Sequence, residues 1–277
     1  MAFISYAQNL EDVMLWRVFS GLEKGFYIDV GANDPVIDSV TKAFYDRGWR
    51  GVNIEPLQSY YQRLCQERTR DINLQVAAGN YTGMVAFYEI PDTGLSTMNY
   101  DIAEQHRLHG WEIKETKVPV MTLLEICQNY VRETIHFLKI DVEGTEKQVL
   151  LGMDFQQYRP WVIVIEATIP LGKQQKHSEW EDILLRHGYQ YTYFDGLNRF
   201  YIAQEKGDCL SHFSSPPNPF DEYLRYSEFC LKERIDHIYV RRPWITAPLF
   251  STELPQQEQR QILKKHLQGA LADANTC

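Results

Sequence analysis

The stretch that most constrains this chain is Gly25-Phe26-Tyr27-Ile28-Asp29-Val30-Gly31-Ala32-Asn33-Asp34-Pro35. Its first half alternates and is rich in β-branched and aromatic residues, the pattern of a buried strand. Gly31 stands where that strand must turn, followed by the small Ala32 and the polar Asn33 and Asp34. Without a Cβ, the backbone at such a glycine can approach a bound molecule closely.

A second short apolar strand, Gly51-Val52-Asn53-Ile54-Glu55-Pro56, ends in a carboxylate. Strand, glycine turn, helix, strand and terminal acid make the plan of a Rossmann-like nucleoside site, with the acid on the ribose hydroxyls. Further strands are expected at residues 74–79, 84–90, 118–121, 135–141 and 161–166, with helices at 10–19, 38–47, 59–70, 123–130 and 179–187. Asn9 reads as the N-cap of the first helix, with Glu11 and Asp12 in its first turn. Residues 94–117 show no clean period, and a long irregular insertion in a compact fold is often a functional lid. Tyr189–Phe194 and Arg199–Ala203 read as a closing hairpin that places one antiparallel strand among parallel ones. Such alternation of strands and helices predicts an α/β domain over residues 1–206. Residues 207–277 read as a linker and a helical extension, with helix-like patches at 222–234 and 256–267.

The glycine loop is not GxGxxG, because no third glycine follows Gly31 to admit a pyrophosphate. That disfavours a nicotinamide dehydrogenase. Asp29, Asp34, Glu55, Asp141 and Glu143 instead bring negative charge to strand C-terminal ends, where open α/β sheets bind ligands. Acids are common in turns at strand ends, but five of them at successive ends favour a ligand that carries positive charge. The sulfonium and ammonium of S-adenosylmethionine (SAM) fit that requirement, and SAM has no phosphate. A closing hairpin is likewise typical of class I SAM-dependent methyltransferases.

Tyr6-Ala7-Gln8-Asn9-Leu10-Glu11-Asp12, Phe26 through Asn33, Gly51 through Pro56, and Phe137-Leu138-Lys139-Ile140-Asp141-Val142-Glu143-Gly144-Thr145-Glu146 together resemble the FkbM family of SAM-dependent methyltransferases. Val118 through Leu123 and Arg159 through Glu166 fit the same pattern, so the resemblance spans roughly residues 3–205. It departs at Asp34-Pro35, where many members carry glycine. The resemblance implies a Rossmann-like class I fold: a mostly parallel seven-stranded sheet with an antiparallel terminal strand, plus inserted strands. It implies that Asp29, Gly31 and Asn33 line the methionine part of SAM, that Glu55 binds the ribose, and that Ala77 and Ala78 border adenine. By the same resemblance Asp141 faces the sulfonium, while Gln8, Glu11 and Asp12 pack over the cofactor. Its members methylate hydroxyls of natural-product scaffolds or of sugars in surface glycans. The expected activity is therefore O-methylation of a sugar hydroxyl in a glycan or glycoconjugate. A polyketide-like acceptor and an inactive SAM-binding module are the alternatives.

An alcohol acceptor must lose a proton, and Asp141 and Glu143 are the first candidates to take it, with His109 of the irregular insertion as a third. His106, in the same insertion, could equally be a base or an acceptor contact, though a surface histidine is the commoner case for both; His136 reads as structural, and Lys139 as a group that orients a carboxylate. Asp141, Glu143 and Glu166 offer oxygen ligands that suit Mg²⁺. Spacing alone does not place them in one coordination sphere, and the reading favours no metal. Five cysteines, never spaced as CxxC, argue for reduced structural thiols rather than zinc. A net charge of −9 argues against nucleic acid as partner. Arg241-Arg242 beside Trp244 reads as a solvated pair. No run approaches the roughly 18 apolar residues of a membrane span, and no basic-then-apolar leader opens the chain, so the expected location is cytoplasmic.

Overall fold

The computed structural model describes residues 2–170 and 172–241. The elements in chain order are β1 (Phe3–Ser5), α1 (Glu11–Phe19), β2 (Phe26–Val30), α2 (Lys42–Asp46), β3 (Arg50–Ile54), α3 (Gln58–Glu67), β4 (Ile72–Leu74), β5 (Ala77–Gly79), β6 (Gly83–Glu89), α4 (Tyr100–Leu108), β7 (Lys114–Thr122), α5 (Leu123–Tyr130), β8 (Phe137–Ile140), α6 (Glu146–Leu151), β9 (Val162–Glu166), α7 (Glu181–Arg186), β10 (Tyr189–Phe194), β11 (Asn198–Ala203), β12 (Tyr223–Arg225) and α8 (Tyr226–Arg241). The chain divides into two compact units between Tyr223 and Leu224. The first holds the sheets described below, and the second holds α8.

The fold is α/β, built on a mixed seven-stranded sheet in the order β10-β11-β9-β8-β2-β3-β4. From β9 through β4 every pairing is parallel. β11 runs antiparallel to both β9 and β10, so the one reversed strand lies inside the sheet rather than at its edge. Each residue of β2 and β9 is buried, as central parallel strands require when both faces are covered. Ile28, Val30, Leu138 and Ile140 pack into the core on one face. Tyr27, Phe137, Phe44, Trp49 and Phe19 form an aromatic core on the other. The inserted strands form a three-stranded sheet in the order β5-β7-β6.

Several boundaries differ from expectation for identifiable reasons. The helix expected from Asp38 begins at Lys42, because Asp38 sits in the left-handed region at φ 56°. Asn9 is not the N-cap of α1. Leu10 occupies that place at φ 67°, and the Asn9 amide instead donates to the Asp195 carbonyl at 3.0 Å. The insertion expected to be irregular contains α4, capped by the Asn99 side chain, which accepts from the N–H groups of Asp101 and Ile102. β7 starts at Lys114, well before the expected Val118. Thr122 caps α5 as read, accepting from the Glu125 N–H at 3.1 Å. Cys65, Cys127, Cys209 and Cys230 are free thiols. No helix among the described residues is long and apolar enough to cross a membrane. The patch at residues 256–267 and the Arg242 and Trp244 positions lie outside the described residues.

Candidate active site

The C-terminal ends of β2, β3 and β8 open into one cleft of about 270 Å³, close to the lower end of the roughly 300–1,000 Å³ usual for ligand sites. Gly31 makes the approach of two of these ends possible. Its φ is 76°, and a Cβ there would stand 1.8 Å from the Asp141 carbonyl oxygen. The turn after β2 therefore lies directly against the end of β8, and only glycine fits.

Gln8, Gly31, Asn33, Glu55, Ala77, Ala78, Asp141 and Glu143 all line this cleft, as does Glu11. The Glu55 carboxylate is anchored at the end of β3 by two backbone donors, Asn33 N–H at 2.9 Å and Leu57 N–H at 2.8 Å. Each oxygen accepts one of these bonds, which leaves one lone pair on each for a ligand. Burial pushes its carboxyl up to about 7, against the lowering pull of those two N–H groups. Beyond Glu55 the wall is apolar, with Leu57, Ala77 and Phe87 in one small cluster against Tyr60 and Met98. The Asn33 side-chain oxygen is buried without a hydrogen-bond partner among the described residues.

Three predicted site residues lie outside the cleft lining. Asp29 points to the aromatic face of the sheet, where it accepts from the Thr41 hydroxyl at 2.9 Å. Opposite it in register stands Lys139, whose Nζ is 3.5 Å from Asp29 Oδ1, 3.4 Å from Asp141 Oδ2 and 2.9 Å from the Gly31 carbonyl it donates to. Burial alone would lower the Lys139 ammonium, but Asp141 and Asp29 outweigh it and hold the pKa above its ordinary value. Lys139 thus fixes the Gly31 turn and the Asp141 carboxylate together. Asp34 accepts from the N–H groups of Val36 and Ile37 and pairs with Arg63, which occupies it within its own loop. His109 is exposed at the end of α4, with its Nδ1 2.7 Å from the Gln105 carbonyl.

Asp12 does not line the cleft either. It braces the N-terminal segment by accepting from the Ser5 hydroxyl and the Tyr6 N–H at 2.7 and 2.8 Å, and burial pushes its carboxyl up to about 6. Glu11 takes the Asn198 amide at 2.8 Å, and burial followed by the Asp195 charge pushes it up to about 8.

The structure also brings Glu166 beside two carboxylates of another strand end, Asp141 and Glu143. One ligand atom from each of Asp141, Glu143 and Glu166 lies within 4.8 Å of the others. Glu143 reaches this position because it takes φ 52° and Gly144 takes φ 94°, two left-handed residues that fold the chain sharply after β8. The Thr97 hydroxyl pins that turn by donating to the Glu143 carbonyl at 2.8 Å. Burial first, and Asp141 second, hold both Glu143 and Glu166 well above the usual carboxylate range.

His106 is not a surface residue. It is 4% exposed, and its Nε2 has no partner among the described residues. With Asp101, Gln105, Gln174 and Lys176 it lines a second cavity, between α4 and the segment after β9. That segment follows Glu166 directly, and Ile102 of α4 packs on Gly144, where a Cβ would meet its Cδ1 at 2.2 Å. Hydrophobic periodicity does not reveal this wall, because α4 buries only Ile102, Ala103 and His106; Asn99 followed by Asp101 is the signal in the sequence.

Comparison with known proteins bears on what such a cleft does. The family model described as "Methyltransferase FkbM domain" matches residues 29–191. No curated protein matches the chain. Among solved structures, precorrin-6y C5,15-methyltransferase from Geobacter metallireducens GS-15 is similar at 10% identity, with a TM-score of 0.36 and coverage of 71% of this chain and 87% of that chain.

Proposed function

The chain belongs to the FkbM methyltransferase family, and from that premise we propose that it transfers the methyl group of SAM to a hydroxyl, on a sugar of a glycan or glycoconjugate. One observation carries the reading: a bare turn at Gly31, an anchored acid at Glu55 and the Asp141 carboxylate face one cleft at the ends of parallel strands. The residues suit the cofactor. Glu55 keeps a lone pair on each oxygen for two vicinal hydroxyls, Leu57, Ala77 and Phe87 offer an apolar slot for a base, and the buried unpartnered oxygen of Asn33 awaits a donor such as an ammonium.

SAM, when bound, supplies a carbon already activated for displacement by its sulfonium. The protein's own work is to position the acceptor and to accept its proton. Holding an acceptor oxygen in line is worth up to about 7–11 kcal/mol in ideal cases. A base within hydrogen-bond reach adds roughly 10²–10⁴-fold. Asp141 and Glu143, both at the cleft wall, are the groups proposed to take that proton. Lys139 keeps Asp141 in place and is a positioning residue. The second cavity mixes polar groups at Gln105, Gln174 and Lys176 with apolar Ile102, Ile169 and Pro170, a lining compatible with the hydroxyls and ring faces of a sugar.

The test is incubation with methyl-labelled SAM and a panel of sugar, lipid-linked glycan and polyketide acceptors, read as label transfer and as the mass gain of one methyl. Transfer to sugar acceptors is the expected result. Tight SAM binding with no transfer to any of them would assign the chain to the inactive binding modules instead.

A further inference from the structure

We propose that Asp141, Glu143 and Glu166 form a divalent-cation site, for Mg²⁺ or Mn²⁺, at the C-terminal ends of β8 and β9, with Asp141 and Glu143 on the wall of the cleft. Each offers a carboxylate oxygen within 4.8 Å of the other two, a spacing that one ion can bridge. Carboxylates facing one another repel when ionised, so three of them either share protons or hold a cation between them. The neighbouring side chains do not supply it. Lys139 reaches Asp141 at 3.4 Å but is shared with Asp29, and neither Glu143 nor Glu166 forms an ion pair among the described residues.

A second observation, apart from the clustering, points to a ligand. Glu166 is 8% exposed and its Oε2 has no hydrogen-bond partner among the described residues. A buried, unsatisfied carboxylate oxygen is costly, and natural proteins pair such groups with cations or coordinate metals with them. Glu143 Oε2 is unpartnered in the same way. Asp141, by contrast, has a side chain 37% exposed, so the cluster has two sheltered ligands and one open side. An all-oxygen set with an open side suits a hard cation that keeps water or takes an acceptor oxygen, and it does not suit zinc.

The backbone is built to hold this arrangement. Asp141 and Glu166 occupy the ends of the adjacent parallel strands β8 and β9, and the left-handed pair Glu143–Gly144 folds the third ligand back toward them. A cation there would lower the pKa of a hydroxyl bound to it. Only that consequence rests on the methyl-transfer reading, since the site itself stands on the cluster's geometry.

The experiment is a Mn²⁺ titration of the full chain after chelator treatment, followed by the electron paramagnetic resonance of free Mn²⁺, with Mg²⁺ as competitor. One Mn²⁺ per chain is expected, displaced by Mg²⁺. Glu166→Gln and Asp141→Asn should each weaken it by roughly tenfold or more, while Glu112→Gln, at an exposed position outside the cluster, should not. Circular dichroism melting with and without Mn²⁺ covers the case of a poorly folded variant, because the wild-type chain alone should gain thermal stability from the ion. No Mn²⁺ uptake up to about 1 mM, or uptake unchanged in both variants, would overturn the proposal. SAM affinity measured in chelator probes the methyl-transfer reading separately, so the two can fail independently.

Discussion

Glu55 shows what a single residue contributes and how it can be tested. Burial pushes its carboxyl up to about 7, and ribose hydroxyls bond more strongly to the ionised form than to the neutral one. A ligand that needs the ionised form must drive off the proton below that pH. Affinity for the nucleoside should therefore fall below pH 7, by up to about tenfold per pH unit, and level off above 8. Glu55→Gln should abolish this slope as well as weaken binding, as calorimetry across pH 5.5–8.5 would reveal; a slope that survives the substitution assigns the titration elsewhere. Gly31 makes a harsher prediction. Gly31→Ala places a Cβ in the Asp141 carbonyl at a left-handed φ, so it should cost about 3 kcal/mol or more, seen as a large fall in Tm. The strand ends carrying Gly31, Asn33, Glu55 and Asp141 were legible from the sequence because each follows a short apolar run. The facing of Asp29 was not. Strand alternation puts it on the side of Tyr27, opposite Ile28 and Val30, and its partners Thr41 and Lys139 are remote in sequence.

At the scale of elements, periodicity succeeded where a face is buried and failed where capping or backbone conformation decides. β2, β3, β8 and β9 are rich in buried apolar residues and lie where expected. α4 has a weak apolar stripe, with Ile102, Ala103 and His106 as its buried residues, so its start depends on Asn99 rather than on pattern. Asn99→Ala should cost about 1 kcal/mol, confined to this helix. Hydrogen exchange should show faster opening over residues 100–108 with the central strands unchanged, and uniform exchange in the variant would argue that α4 is held by packing alone. Asp141, Glu143 and Glu166 illustrate the same limit. Two sit within one motif, but only the pairing of β8 with β9 and the left-handed turn at Glu143 bring the third beside them.

For the whole molecule, the mixed sheet gathers the C-terminal ends of β2, β3 and β8 at one edge, where Glu11, Asp38, Glu55, Asp141 and Glu143 line the cleft. The alternation of elements made the α/β class readable, and the β10–β11 hairpin the reversed strand, whereas the pairing of β11 with β9 is long-range and lies in no local window. The central proposal is that this acidic edge receives a cationic nucleoside. Equilibrium binding of SAM to the full chain by calorimetry tests this most directly. The account predicts one SAM per chain, with affinity lost by about 100-fold or more in Glu55→Ala, a buried charged acceptor worth roughly 2–4 kcal/mol. A chain that binds no SAM, or a Glu55→Ala variant that binds it as tightly as the wild type, would contradict it.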